Sequence, residues 1–257
     1  MADDHFVDFT GKTALVTGAS AGLGRAIAVR FAQYHARVGV HYHANRFGAE
    51  ETARLIESLG GECVLLQADL SQEAGAQAMF AGLKEKADRL DVLVNNAGIY
   101  PSKPLMEISG EEWDAMMAAN LRSVFLCTRQ AAEWMRAGGG GAVVNIASIE
   151  AFMPARQHAH YSASKAGVLM LTRSAALELG PAGIRVNAVS PGLIHREGIE
   201  ENWPEGVARW LNACPLGRMG APEGVADACL FLASERAAWI SGANLVADGG
   251  MSAMGAG

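Results

Sequence analysis

The chain has 257 residues, half of them hydrophobic and 19% charged, with a formal net charge of −6. Such a chain is too apolar and too weakly charged for long disorder, and no Lys/Arg run offers a face to nucleic acid or an anionic membrane. No stretch reaches the roughly 18 uninterrupted apolar residues of a membrane helix. The opening MADDHFVDFTGK lacks the basic and apolar regions of a signal peptide. Cys63, Cys127, Cys214 and Cys229 are scattered without a C-x-x-C pair, which favours reduced thiols, a cytoplasmic location and no metal site.

Short β-branched runs alternate with longer amphipathic ones along the chain. Strands are predicted at 13–17, 37–42, 63–67, 91–95, 142–147, 184–190 and 244–247, all nearly continuous apolar runs of the kind covered on both faces. Helices are predicted at about 22–34, 48–59, 73–88, 110–136, 161–179 and 222–233. Ser109 and Glu112 form a capping-box signal for the fourth of these, and the glycine run 138–141 stops it. Strand–helix alternation at this spacing means βαβ units and an α/β fold: one doubly wound, parallel, seven-stranded sheet flanked by helices, of Rossmann type. No linker or repeat interrupts it, so 1–257 reads as a single domain. The segment 192–215 breaks the rhythm; long, polar and carrying Trp203, Pro204 and Trp210, it reads as a substrate lid.

The first strand runs straight into Thr17-Gly18-Ala19-Ser20-Ala21-Gly22-Leu23-Gly24 and then a helix. Gly18 permits the tight turn, Gly22 lets backbone approach a pyrophosphate, and Gly24 allows close helix–strand packing. The helix N-terminus adds free N–H groups and a partial positive charge. With its strand–turn–helix context met, the run reads as a dinucleotide site.

Tyr161 and Lys165 stand four apart in a predicted helix and so share a face. A free tyrosine, with a pKa of about 10, is a poor base near neutrality. A nearby ammonium favours the phenolate and brings it closer to a useful acid/base. Ser148 sits at the carboxyl end of the fifth strand, where ligands bind in parallel sheets. Asn120 is a poor helix former inside a helix.

The G-x-x-x-G-x-G spacing with its preceding threonine resembles the short-chain dehydrogenase/reductase family, and the resemblance runs the length of the chain. It includes Asn95-Asn96-Ala97-Gly98, Asn120, Ser148, Tyr161-Ser162-Ala163-Ser164-Lys165, Pro191-Gly192 and Asp248-Gly249-Gly250, in family order. It implies an NAD(P)-dependent oxidoreductase that moves a hydride between the nicotinamide and an alcohol or carbonyl. Tyr161 is then the acid/base, and Ser148 holds the substrate oxygen. Lys165 supports Tyr161 and binds the nicotinamide ribose, while Asn120 bends its helix and holds a water in a proton relay. Cofactor contacts are implied at Gly18, Ser20, Gly22, Leu23 and Gly24, at Asp69 and Leu70 by the adenine, and at Asn95, Ala97 and Gly98 by the inner ribose. Tyr161, Lys165, Pro191, Gly192 and Ile194 are implied at the nicotinamide end. The chain departs from the family at Arg196, where a threonine often contacts the nicotinamide amide.

NAD-selective members place an acid at the end of the second strand. Here that position is Tyr42, surrounded by His41, His43, Asn45 and Arg46. Cationic and donor groups suit a 2′-phosphate, which favours NADP over NAD.

Glu150, Gln157, His158 and His160 flank the catalytic motif, and His195, Arg196, Glu197 and Trp203 stand in the lid. Of these, Glu150, His158 and Trp203 are the candidate substrate contacts. Polar groups of this kind suit a sugar or polyol; a 3-oxoacyl thioester or small ketone is the alternative. A non-catalytic dinucleotide sensor would carry a broken catalytic set, and this set is complete. The resemblance further implies a homotetramer built on the last strand and the long helices, where Ala163, Ala166, Gly167, Ala175 and Ala176 would allow close approach.

Overall fold

The computed structural model of the chain describes residues 7–253; the first six residues of the opening stretch and the last four of the C-terminal tail lie outside them. In chain order the elements are β1 (Thr13–Val16), α1 (Gly22–Gln33), β2 (Arg37–Tyr42), α2 (Arg46–Ser58), β3 (Cys63–Gln67), α3 (Glu73–Lys84) and β4 (Val92–Asn95). Then come α4 (Gly110–Met117), a π-helical turn (Ala118–Arg122), α5 (Ser123–Ala137), β5 (Gly141–Ile146), α6 (Ala159–Leu179) and β6 (Ile184–Pro191). Two lid helices, α7 (Ile199–Asn202) and α8 (Pro204–Ala213), precede α9 (Pro222–Ala233) and β7 (Asn244–Ala247).

The seven strands stand in the order β3-β2-β1-β4-β5-β6-β7, and every neighbouring pair is parallel. Because side chains alternate across a strand, each central strand feeds two cores. Ala14 and Val16 of β1 and Val92 and Val94 of β4 join Ile27, Phe31, Ile56 and Val225 under α1, α2 and α9. Leu15 and Leu93, between them, join Met79, Phe80, Cys127 and Met135 under α3 and α5. Burial on both faces explains why these strands read as unbroken apolar runs. The order reverses between β1 and β4, so their crossovers leave to opposite sides and open a crevice at the carboxyl edge.

Two expectations change in detail. The predicted helix 110–136 is α4 and α5 joined through the π turn, with Asn120 inside it. The lid is not irregular: Pro204 at the first position of α8 starts a helix there. Cys63, Cys127, Cys214 and Cys229 are all free thiols. Among the described residues no helix is long and apolar enough to cross a membrane, and no group of three His, Cys, Asp or Glu could hold a metal ion.

Candidate active site

The turn between β1 and α1 carries Gly18 at φ +66° and Gly22 at φ +52°. A Cβ on Gly18 would stand 2.9 Å from Ala97 Cα, and one on Gly24 would stand 2.1 Å from the Gly18 carbonyl oxygen, whereas Gly22 faces open space. Gly18 and Gly24 therefore serve packing, and Gly22 leaves room for a ligand. At the start of α1, Ala21 makes no side-chain cap and the first turn holds no acid; α2 and α4, by contrast, are capped by Asn45 and Ser109. The free N–H groups and dipole of α1 are left for an anion, and this cradle fits the pyrophosphate of a dinucleotide.

Several braces hold the cradle. Thr17 Oγ1 accepts the N–H groups of Asn96 and Ala97 at 2.9 and 3.0 Å. Asn96 Nδ2 donates to the Thr17 and Gly18 carbonyls at 2.9 and 3.1 Å. Sequence reasoning missed two further braces. His41, buried in β2, accepts the Gly18 N–H at Nδ1 (3.0 Å), and its Nε2 stands 3.1 Å from the Ala68 carbonyl. Acceptance at Nδ1 puts the proton on Nε2, which donates to Ala68; burial drives the imidazole pKa down to about 4, so the ring stays neutral. Arg25 Nη2 donates to the Ser20 and Gly48 carbonyls and its Nε to Thr52 Oγ1, locking the turn to α2. Neither residue belongs to a motif; only a buried polar side chain in an apolar strand marks His41.

Around the adenosine end, the expected residues divide. Tyr42, at the position where an acid would meet the ribose, is buried in the core with Val40 and Ile56, because β2 needs an apolar residue on that face. His43 is the first exposed residue after β2, Asn45 Oδ1 caps α2 through the Gly48 N–H, and the exposed Arg46 donates to Glu50 at 2.8 Å. Asp69 accepts the Ser71 hydroxyl and N–H at 2.7 and 3.0 Å, which hold its carboxyl below the usual range. The Leu70 side chain is core. Asn95 does not face the crevice with its side chain: Nδ2 donates to Asn145 (2.8 Å) and Thr128 (3.1 Å) in a buried polar ladder that continues to Thr172.

The catalytic set converges at the carboxyl ends of β4 and β5. Tyr161 and Lys165 lie on one face of α6, with Lys165 Nζ 5.7 Å from the Tyr161 ring centroid. Lys165 is buried, donates to the Ile146 carbonyl at 2.8 Å, and its pKa falls to about 8 by desolvation. Burial pushes the Tyr161 phenol up to about 12, opposed by a hydrogen bond with Ser148 and reinforced by the charge of Glu150. Ser148 also accepts the Glu150 N–H at 3.1 Å. Asn120 is fully buried; Oδ1 accepts the Ile99 N–H and Nδ2 donates to the Ile99 carbonyl, both at 2.8 Å, with Ser164 Oγ at 3.2 Å. A π turn is a rare geometry that collects at functional sites, and here it aims Asn120 at the loop after β4. A Cβ on Gly98 would stand 2.9 Å from Asn120 Oδ1 and 3.8 Å from Lys165 Nζ, so Gly98 closes the floor between them.

Glu150 and His158 are brought together beside Tyr161: His158 Nδ1 lies 3.1 and 3.0 Å from the two Glu150 oxygens. The lid is pinned at its base, where His195 donates its N–H to the Gly220 carbonyl and Gly220 donates to Leu193. Ile194 pairs with Gly220 in a parallel bridge. Trp210 of α8 covers Gly192, where a Cβ would stand 2.6 Å from the indole. Trp203 packs on Gly206 within the lid and is exposed. Arg196, at the departed threonine position, lies over the Tyr100 ring at 5.0 Å and clasps the lid to the loop after β4.

The model of the family described as Enoyl-(Acyl carrier protein) reductase matches residues 18–252. The chain is 39% identical over 249 residues to glucose 1-dehydrogenase 2 of Bacillus subtilis, covering 96% of each protein. It is 40% identical over 247 residues to 3beta-hydroxysteroid dehydrogenase 1 of Eggerthella lenta, covering 95% of each. A 7alpha-hydroxysteroid dehydrogenase structure, complexed with NADH and 7-oxo glycochenodeoxycholic acid, superimposes with a TM-score of 0.91 at 34% identity, over 95% of each chain. With the glycine cradle and the Tyr161–Lys165 face already in place, these likenesses agree along the whole length: the chain belongs to the short-chain dehydrogenase/reductase family and is a nicotinamide-dependent oxidoreductase of alcohols and the corresponding carbonyls.

Proposed function

We propose that Tyr161 is the proton donor and acceptor of this reaction, with Ser148, Lys165 and Asn120 completing the catalytic set. The observation that carries this reading is the shared Tyr161–Lys165 face at the end of β5, with the Nζ of buried Lys165 5.7 Å from the phenol ring. Ser148 holds the substrate oxygen against the phenol. In oxidation Tyr161 takes the hydroxyl proton as the C–H hydride leaves; in reduction it returns the proton to the carbonyl oxygen. Lys165 favours the phenolate during transfer. Asn120, held by Ile99 and Ser164, forms the floor of a proton path toward Lys165. The dinucleotide, when bound, supplies the hydride acceptor or donor, and its positive nicotinamide further lowers the phenol pKa. Its pyrophosphate is assigned to Gly18, Ser20, Gly22, Leu23 and Gly24, and its nicotinamide end to Gly98, Pro191, Gly192 and Ile194.

NADP(H) is the assigned cofactor. No acid directly follows β2, and the exposed His43 and Arg46 offer hydrogen-bond donors and the guanidinium charge to a 2′-phosphate. The substrate is assigned as a sugar or polyol, supported by the polar Glu150–His158 wall beside Tyr161. Residues 1–257 act as one catalytic unit with 192–215 as its lid, and the free thiols support a cytoplasmic location.

The assembly is assigned as a homotetramer. Supporting it, Ala166, Met170, Arg173 and Leu177 form an exposed stripe along α6, with Met170 60% and Leu177 81% exposed, and the edge strand β7 exposes Leu245 and Val246. Of the small residues named for such an interface, Gly167 already packs on Leu121 of its own chain.

The test is a steady-state assay of reduced-nicotinamide absorbance over sugars, polyols and ketones, with wild type and Tyr161→Phe. Turnover that disappears in the variant supports the assignment; a variant within a few-fold of wild type overturns it.

A further inference from the structure

The Glu150–His158 pair is built with unusual care for a surface contact. The segment 151–158 leaves β5 and returns to start α6, and Gln157, directly before His158, sits at φ +67°. A non-glycine residue there carries local strain, which persists only where its surroundings impose it. They do so here: the Gln157 carbonyl accepts the Lys103 N–H at 2.7 Å, and Lys103 Nζ is itself held by Glu112 at 2.6 Å. The outcome is a half-buried imidazole with Nδ1 on both Glu150 oxygens and its ring edge-on to Tyr161, centroids 5.8 Å apart. Ser162 Oγ lies 3.4 Å from Glu150 Oε2 and orients the carboxylate from its other side. Nδ1 is thus fully occupied, while Nε2 meets no protein partner among the described residues and is not enclosed.

We propose that His158 Nε2 is a substrate-binding group that selects a hydroxyl on the carbon next to the reacting one, with Glu150 as its positioning residue. The choice of a hydroxyl follows from the ionisation of the pair. The hydrogen bond to Glu150, with the charge of Glu150, raises the His158 pKa above its ordinary value against burial, and the pair presents Nε2 to a ligand in either protonation state. His160 stands close enough for its own ionisation to feel His158, and His160 in turn feels Glu112 on α4; in the free protein the Tyr161 phenol is neutral. In the imidazolium, Nδ1–H points at Glu150 and Nε2–H donates. In the neutral ring, Nδ1–H still points at Glu150 and Nε2 accepts. A hydroxyl is both donor and acceptor, so it satisfies either state; an ether or carbonyl oxygen serves only the first. The implied reaction takes a vicinal diol and oxidised cofactor to an α-hydroxy ketone, reduced cofactor and a proton. The hydroxyl proton passes to Tyr161 in the phenolate form that Lys165 favours, the hydride would go to the oxidised cofactor when bound, and the neighbouring hydroxyl stays on His158 unchanged.

This rests on the assignment of Tyr161 as the acid/base, and the experiment separates the two. Three matched pairs are assayed: glucose and 2-deoxyglucose, trans-1,2-cyclohexanediol and cyclohexanol, 2,3-butanediol and 2-butanol. The hydroxylated member of at least one pair is expected to win at least tenfold in kcat/KM. That ratio is expected to fall at least tenfold in His158→Asn, chiefly through KM. With trans-2-methoxycyclohexanol the wild-type KM should rise above the His158 ionisation while that for the diol stays flat. Glu150→Gln should move that break to lower pH, a shift that a merely structural role for the pair would not produce. A ratio near one, or one unchanged in His158→Asn, overturns the proposal. If all six compounds are inert but another alcohol shows Tyr161-dependent turnover, the proposal falls and the catalytic assignment stands. If no alcohol or ketone turns over, both fall.

Discussion

Gly18 donates its backbone N–H to Nδ1 of His41 at 3.0 Å, so the turn assigned to the pyrophosphate is held from the neighbouring strand by a neutral imidazole. The same ring reaches Ala68 at the end of β3, tying three strand ends together across the adenosine side of the crevice. Replacing His41 with Leu leaves the Gly18 N–H and the Ala68 carbonyl without partners. The expected cost is about 1–3 kcal/mol of stability, read by denaturant unfolding, with weaker dinucleotide binding in fluorescence titration. Unchanged cofactor affinity would remove His41 from the site.

His41 also predicts an acid limb. Its pKa is about 4 folded against 6.5 for the free ring, so the unfolded chain binds the extra proton between those values. Its stabilising contribution is complete above pH 6.5 and is lost as pH falls from 6.5 to 4, by about 3 kcal/mol in all. His41→Asn should flatten that part of the stability profile. Identical slopes for variant and wild type would show that other groups carry it.

Tyr161→Phe is expected to lower kcat by 10²–10⁴-fold or more, the range of acid/base catalysis, with dinucleotide affinity nearly intact. Lys165→Ala should damage both, because the ammonium serves the phenol and the ribose. In the free protein the Tyr161 phenol is held up to about 12, so ultraviolet difference titration against Tyr161→Phe should show no phenolate from it at pH 9. Oxidised cofactor should lower that ionisation; a phenol already ionised near neutrality without cofactor contradicts the burial seen here.

Cofactor choice is tested by titrating NADP(H) and NAD(H) side by side, with NADP(H) expected to bind more tightly. Arg46 is engaged by Glu50 at 2.8 Å, so Glu50→Gln frees the guanidinium and should strengthen NADP(H) binding selectively. His43→Ala with Arg46→Ala should weaken it selectively. Tighter NAD(H) in the wild type would reverse the assignment.

Light scattering should give a mass four times the 27.0 kDa chain. Leu177→Glu, placed on the exposed stripe of α6, should yield a smaller species with the fold intact by circular dichroism. A stable monomer in the wild type would refute the assembly.

Local chemistry determined much of this protein in advance. Strand runs, capping signals and the glycine spacing each act over a few residues, so β2, β3, β7 and α9 fall where the sequence places them, and the Tyr161–Lys165 face follows from helical periodicity alone. The relationships that cross the sheet were settled only by tertiary structure. Asn95 and Asn96 are indistinguishable in sequence, but strand alternation turns Asn95 into the buried ladder with Asn145 and leaves Asn96 to brace Gly18. Tyr42 and His41 are likewise adjacent, and the same alternation sends one into the core and the other under the glycine turn. Asn120 marks an interruption in a helix, but that it is a π turn gripping Ile99 depends on the β4 loop packed against it. Glu150 and His158 are eight residues apart with no periodic relation, and they meet only because the strained turn at Gln157 folds the chain back beside Tyr161.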